Sequence, residues 1–455
     1  MKSRYFSILM NKTNSHFKIV VGLGKTGLSC VRYLVQQGFK VAAVDSRVSP
    51  PGLEELRQNF PEVQAHLGSF DAKILAQADE LILSPGVSKR EPAIAECLER
   101  GIKAIGDIEL FARAAKAPIV AITGSNGKST VTSLVGLMAE AATLGKKVKV
   151  GGNLGVPALD LLDPKAELYV LELSSFQLET TFSLKPAASV VLNISADHMD
   201  RYRDLNEYKL TKQRIYLGSG VAVINRDEPS SYSNVLLPQK IIKFGVGAPD
   251  KNDFGVVDGY LVCGNKKLLS TDELKIKGLH NAANALAALA MGAAINLPLA
   301  IMLQALRDFP GLAHRCQWVA NINNVDWYND SKGTNVGATK SAIEGLGADN
   351  RGKIVLILGG IGKDADFTEL RDIVAKYVRA VILIGKDAKL IAQSLSKESK
   401  VLFAASMSEA VTLCACVAKP RDAVLLSPAC ASFDMFNDFE HRGEIFMQEV
   451  RKIKT

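Results

Sequence analysis

The sequence predicts an α/β protein of three domains built from alternating strands and helices, and three observations predict it. The chain has 455 residues, about three times the length of an ordinary single-core domain. Short apolar runs rich in Val, Ile and Leu alternate with helix-spaced segments throughout, the pattern of strand–helix–strand units. Several of those runs end in glycine-rich or polar turns, which is where parallel sheets hold ligands.

Composition sets the class. The chain is 47% hydrophobic and 22% charged, enough apolar material for sizeable soluble cores. Its net charge of +8 is mild for this length, and no dense Lys/Arg block is interleaved with aromatics, which argues against a nucleic-acid surface. An anionic small substrate accounts for the excess, as does an ordinary solvated surface. Seven cysteines (Cys30, Cys97, Cys263, Cys316, Cys414, Cys416 and Cys430) are scattered without a Cys-x-x-Cys, which fits reduced thiols in a cytosol. No apolar run approaches membrane-spanning length. Residues 1–16 carry one short apolar run, too brief for a signal-peptide core, and read as a disordered lead-in.

The first domain, 1–108, is predicted from Lys18-Ile19-Val20-Val21-Gly22-Leu23-Gly24-Lys25-Thr26-Gly27. A strand meets Gly-x-Gly-x-x-Gly, a helix follows, and the next strand ends at the acidic Asp45, as in a Rossmann-like half. The same turn holds any diphosphate, so NAD is one reading among several. A further strand, 80–83, leads to Ser84-Pro85-Gly86 at the same crevice.

The second domain, 109–311, holds the strongest motif. The apolar run 117–122 enters Thr123-Gly124-Ser125-Asn126-Gly127-Lys128-Ser129-Thr130, and Val131, Leu134, Val135 and Met138 then recur at helical spacing. Glycines let backbone N–H groups close on an anion, and the helix points its positive end there. Lys128 adds a charge for the outer phosphates, and Ser129 or Thr130 offers a hydroxyl to Mg²⁺. The loop is that of a P-loop ATPase-like domain, shortened because Ile122 stands where the first glycine belongs. Two later strands end in Glu172 and in Asp197-His198, and shared strand-end positions favour Glu172 and His198 as metal ligands beside the loop. An alanine-rich helix around 281–290 closes the unit, and Gly311 marks a hinge.

The third domain, 312–455, repeats buried strands at 353–358, 381–384 and 423–426, each followed by a turn, and reads as a doubly wound Rossmann-like sheet. Its polar clusters are 329–335 and the stretch after Ser427.

Together these strings resemble the Mur ligases of peptidoglycan synthesis over nearly the whole chain, from about Lys18 onward. Glu172-Leu173-Ser174-Ser175-Phe176-Gln177-Leu178-Glu179, Asp197-His198-Met199-Asp200-Arg201-Tyr202 and Ser427-Pro428-Ala429-Cys430-Ala431-Ser432-Phe433-Asp434 look like the D-glutamate-adding members. The resemblance implies a cytoplasmic, monomeric ligase that uses ATP and Mg²⁺ to join D-glutamate to UDP-N-acetylmuramoyl-L-alanine through an acyl phosphate. It also implies roles. Lys25, Thr26 and Gly27 would meet the diphosphate of the UDP-substrate, Asp45, Ser46, Arg47 and Gly86 its uridine side, and Asn153 and His198 its muramoyl part. Gly124 to Thr130, with Asn281, Asn284, Arg315, Asp330 and Lys332, would bind ATP. Ser129 and Glu172 would hold one Mg²⁺, and Glu172, His198 and a carbamylated Lys212 a second. Lys128, Glu172, His198 and Lys212 would carry catalysis, and Thr334, Lys363, Ser432 and Phe439 would bind D-glutamate. By spacing alone Lys212 reads as a solvated helix lysine, and Lys128 as part of an exposed loop. Two positions depart from the pattern: Gly333 stands where alanine is common, and Ile361 interrupts the Gly-Gly-Asp-Gly-Lys run that leads to Lys363.

Three other readings compete. An NAD-dependent oxidoreductase explains 22–45 and leaves the triphosphate loop without purpose. A non-enzymatic nucleotide binder needs one crevice rather than three. A sibling ligase with another amino-acid acceptor differs only in its third-domain pocket.

Overall fold

The computed structural model describes residues 14–142, 147–276, 278–349 and 352–453. It contains three sheets in chain order. The first has five parallel strands in the spatial order Gln64–Leu67, Phe39–Asp45, Asn14–Val21, Glu80–Leu83, Lys103–Gly106. The first strand begins at Asn14, so the lead-in reading is corrected there: pairing with Phe39–Asp45 through an irregular register draws 14–16 into the sheet. Residues 1–13 lie outside the described residues.

The second sheet has nine strands. Ile119–Thr123, which feeds the triphosphate loop, is the third strand from one edge, between Ala166–Glu172 and Ala188–Val191. That position explains the continuous apolar runs, since a parallel strand covered on both faces has no polar side. The sheet ends in an antiparallel meander, Phe254–Val257, Tyr260–Cys263 and Lys266–Ser270, which the sequence reading did not separate from the parallel part. The alanine-rich helix runs Leu279–Ala294 and packs on the loop helix Lys128–Ala142. Alanines at that contact let two helices approach closely over the sheet.

The third sheet has six strands, with Ala423–Leu426 and Ile354–Gly359 at its centre. Its expected parallel pattern holds except at one edge, where Gln317–Ile322 runs antiparallel to Val325–Asn329. Asn323 and Asn324 turn that hairpin with positive φ, a conformation asparagine tolerates better than most residues. Gly311 lies in the irregular connection between the helix Leu299–Asp308 and this hairpin, with φ +89°.

The first two sheets share one continuous core, which joins Val20, Leu28 and Leu34 to Phe111, Tyr169 and Leu171. The helix Asp107–Ala114 belongs to that shared core, so the expected boundary at 108 falls inside a helix. The third sheet has cores of its own on its two faces.

One buried cation ties the third domain's two polar loops together. Arg442, on the final helix Phe439–Arg451, is 1% exposed. Its guanidinium donates to Ser331 Oγ (2.9 Å), the Ser331 carbonyl (2.8 Å) and the Cys430 carbonyl (3.1 Å). Arg442→Met fills similar volume and leaves three buried acceptors without a donor. It should destabilise the protein by about 2–4 kcal/mol, read as an earlier midpoint in denaturant melts; an unchanged midpoint would show that water replaces the guanidinium.

Candidate active site

The triphosphate loop is held in shape by the strand end beside it. Ser125 N donates to the Asn193 carbonyl (3.0 Å), and Asn126 N to Asn193 Oδ1 (2.8 Å). Ser195 N donates to Ser125 Oγ (2.9 Å). Gly127 has φ +81°, so the turn needs glycine for its backbone, and the Asn284 amide of the alanine-rich helix lies against it.

Lys128 opens the loop helix, and its position corrects the exposed-loop reading. The side chain is half-buried and folds back, with Nζ donating to the carbonyls of Gly124 (2.8 Å) and Ser125 (2.9 Å). Burial pushes its ammonium below the ordinary lysine range, while Glu172 and Asp197 draw it back. Lys212 likewise corrects the solvated reading. It is 2% exposed, Nζ donates to the Gly124 carbonyl (2.9 Å), and it lies 4.7 Å from the Tyr208 ring centre. Burial, reinforced by the Lys128 charge, pushes this amine well below its ordinary range. Helical periodicity missed it because the helix Leu205–Gln213 buries Tyr208, Thr211, Lys212 and Gln213 and leaves Leu205 and Leu210 exposed.

Glu172 joins the loop to its surroundings. Ser129 Oγ donates to one carboxylate oxygen (2.6 Å) and Asn153 Nδ2 to the other (2.7 Å). From the third domain Arg315 Nη2 donates to the same Ser129 Oγ at 2.6 Å. Burial opposes ionisation of Glu172, yet Lys128, the two hydrogen bonds and Arg315 hold it below the usual carboxylate range. Among the described residues no three His, Cys, Asp or Glu side chains converge as a ready metal cage. A hard cation at Glu172 must therefore draw on other oxygen donors, of which Ser129 is one.

A second bridge between domains passes through Asp197. Lys363 Nζ donates to Asp197 Oδ1 (2.9 Å), and Asn335 Nδ2 to Oδ2 (3.1 Å). The neighbouring His198 has φ +57°, and burial pushes its imidazole down to about 4, with Lys363 adding to the effect. Asp197 and Asn335 were not assigned roles from the sequence. Asp197 stood in a quoted motif, but its partner lies 166 residues away, so no local signal could pair them.

Between the second and third domains opens a cavity of about 1090 Å³ whose lining includes Gly127, Asn281, Asn284, Arg315, Asp330 and Lys332. Asn284 Nδ2 donates to Asn281 Oδ1 (3.2 Å). Asp330 accepts from Ser427 Oγ (2.7 Å) and Cys316 N (3.1 Å), and burial pushes it up to about 6. Lys332 lies 3.6 Å from the centre of the Phe439 ring. Phe439 thus borders the cation facing the cavity, while Ser432 is buried and Thr334 and Lys363 are half-buried on nearby loops.

The first domain offers a separate crevice. Gly27 fits where a Cβ would strike the Gly22 carbonyl, and Ser84 Oγ donates to that carbonyl (2.7 Å). Asp45 is 2% exposed, and its carboxylate accepts from Leu23 N (2.7 Å) and from the backbone and guanidinium of Arg47. It braces the Gly-rich turn and Arg47 from below. Ser46, Arg47, Lys25 and Gly86 are exposed, Thr26 is half-buried, and Lys25 Nζ donates to the Gly155 carbonyl (2.7 Å) of the second domain.

Three nucleotide-fold sheets, with a triphosphate loop in the second facing cations of the third, define a ligase-type architecture. The chain matches the N-terminal domain of MurD-like Mur ligases over 16–106, the Mur ligase middle domain over 122–292 and the Mur ligase glutamate ligase domain over 314–430. It belongs to the Mur ligase family. Among its relatives are UDP-N-acetylmuramoylalanine--D-glutamate ligases. That of Pseudomonas putida is 54% identical across 96% of this chain and 97% of its own length. That of Nitrosococcus oceani is 52% identical across 96% of both chains. Among solved structures, a pseudomurein peptide ligase type C from Methanothermus fervidus has a TM-score of 0.62 at 16% identity, over 97% of this chain and all of that one. The UDP-N-acetylmuramate-alanine ligase MurC of Thermotoga maritima has a TM-score of 0.60 at 19% identity, over 96% and 100%. These two share the fold.

Burial, with Arg315 adding to it, pushes Lys332 down to about 8. It is charged below that pH and neutral above it, so an anion in the cavity loses a partner as pH rises. Affinity for a nucleoside triphosphate, measured by calorimetry, should fall about tenfold as the medium passes from neutral to well above pH 8. In Lys332→Arg that alkaline loss should vanish; its persistence would move the titration to another group.

Proposed function

We propose that this protein uses ATP to join D-glutamate to UDP-N-acetylmuramoyl-L-alanine, acting as a cytoplasmic monomer in peptidoglycan precursor synthesis. The observation that carries this reading is the gathering of Lys128, Lys212, Arg315, Lys332 and Lys363 from two domains around one triphosphate loop. A triphosphate and a carboxylate repel each other, and a ligase must hold both within bonding distance. Clustered cations do that, and positioning with electrostatic stabilisation dominates phosphoryl transfer. The identity of 52–54% to D-glutamate ligases over nearly the full chain supports the same reading.

The roles divide by domain. The first domain holds the uridine nucleotide through Lys25, Thr26, Gly27, Ser46, Arg47 and Gly86, with Asp45 as the brace beneath Arg47. The second domain supplies the ATP loop, and Asn281 and Asn284 receive the adenine. Residues 312–455 close the cavity with Arg315, Asp330 and Lys332. The γ-phosphoryl group passes to the alanyl carboxylate, giving ADP and an acyl phosphate. D-Glutamate attacks the carbonyl carbon as its neutral amine, and the tetrahedral adduct gives up one N–H proton as it expels phosphate, leaving the amide. Lys128 stabilises charge on the transferring group, and Asn153 and His198 flank the muramoyl part.

The oxygen donors of Ser129 and Glu172 suit Mg²⁺, and in this reading Glu172, His198 and a carbamylated Lys212 would hold a second ion. Such ions would neutralise charge on the phosphate oxygens. Lys212 suits the modification, since only an uncharged amine adds to CO₂ and burial favours that form.

The direct test is phosphate release with UDP-N-acetylmuramoyl-L-alanine, ATP and Mg²⁺, adding one amino acid at a time. D-Glutamate should drive turnover, and L-glutamate, L-alanine and meso-diaminopimelate should not. Equal turnover with another acceptor would overturn the assignment. Thr334, Lys363, Ser432 and Phe439 form the D-glutamate pocket in this reading, with Lys363 leaving Asp197 for the substrate carboxylate. Lys363→Ala should raise the D-glutamate KM about tenfold or more and leave the ATP KM nearly unchanged. A larger shift in the ATP KM would place Lys363 in the nucleotide site.

A further inference from the structure

The segment that carries His198 continues into Arg201, which reaches back to the first domain. The Arg201 side chain is 10% exposed. Nη1 donates to the Pro85 carbonyl (3.1 Å) and Nη2 to the Val87 carbonyl (3.2 Å), the two residues that flank Gly86. Nη2 also donates to Glu179 Oε2 at 2.8 Å. The guanidinium carbon lies 4.4 Å from the centre of the Phe176 ring, and that ring lies 4.7 Å from the His198 imidazole. Arg201 N donates to the His198 carbonyl (2.9 Å), which helps hold the left-handed backbone at His198.

We infer that Arg201 is a positioning residue that couples the Pro85–Val87 loop of the first domain to the His198 imidazole, through its stack on Phe176. The inference rests on the proposed roles of Gly86 and His198. The geometry suits a coupler for three reasons. A guanidinium is planar, so one face can lie on an aromatic ring while its edge donates to two carbonyls. The carbonyls belong to backbone, so any shift of the loop on binding must move the donor. The Phe176 ring touches Arg201 and His198 both, so it cannot follow one without disturbing the other. Lysine can supply the charge and donors for the carbonyls, but it has no planar face to lie on the ring.

Two other cations bridge the same domains and make no contact with the imidazole. Lys89 Nζ donates to the Glu179 carbonyl (2.6 Å), and Arg90 pairs with Glu207 and also donates to the Arg201 carbonyl (2.9 Å). Lys89, which does not touch Arg201 in that way, separates a coupling role from mere attachment of one domain to the other.

The test is nuclear magnetic resonance of the His198 ring in the full chain, titrated with UDP alone. UDP should shift the His198 signal in the wild type and in Lys89→Met, and leave it unmoved in Arg201→Lys while still binding by calorimetry. Saturating turnover should fall about tenfold to a hundredfold in Arg201→Lys, as small misplacements of a reacting group do, with the ATP KM held within about twofold. A His198 shift in Arg201→Lys equal to that in the wild type would overturn the coupling, as would an equal loss of turnover in Lys89→Met. Failure of UDP to bind the wild type would instead overturn the uridine site itself. If Arg201→Lys fails to fold, Phe176→Leu removes the ring and retains the cation, and it should lose the same UDP-dependent shift; retention of the shift there would overturn the stack.

Discussion

The carboxylate of Glu172 is the constraint on which the site depends. It sits buried at a strand end, and a buried carboxylate must be hydrogen-bonded and charge-compensated or it will not stay ionised. Meeting that demand fixes its neighbours. Ser129 fixes the start of the loop helix, Asn153 fixes the adjacent strand end, and Lys128 supplies charge. Arg315 reaches the same hydroxyl from the third domain, so one buried anion sets the approach of two domains.

The domain contacts differ in kind. The first and second domains share an apolar core, which gives a broad and non-directional attachment. The second and third meet across a cavity of mixed lining, where named hydrogen bonds such as Lys363 to Asp197 carry the contact. Polar bonds of this sort exchange readily for bonds to a charged ligand, whereas a shared core does not part without exposing apolar surface. The architecture therefore places its adjustable joint between the second and third domains.

Much of the fold was legible because its signals are local. Buried runs at 353–358 and 423–426 became central strands, and the Gly-rich turns at 22–27 and 124–127 became tight loops in which Gly22, Gly124 and Gly127 take positive φ and Gly27 lies against the Gly22 carbonyl. The errors lay where sequence pattern carries no information about partners. Lys212 and Lys128 were read from helical and loop context as solvent-facing, and both fold inward onto the Gly124 carbonyl. The antiparallel edge at 317–329 and the boundary helix 107–114 were likewise decided by which surfaces needed cover.

The sequence by itself determined the three-sheet α/β class, the triphosphate loop and the residue types at strand ends, because periodicity and turn chemistry act over a few neighbouring residues. Only the tertiary structure decided which of those residues meet. Asp197 with Lys363, Ser129 with Arg315 and Arg201 with Pro85 are separated by 166, 186 and 116 positions. Such pairings follow from how whole sheets pack, and charge or hydrogen-bonding capacity written at one position does not specify its distant partner.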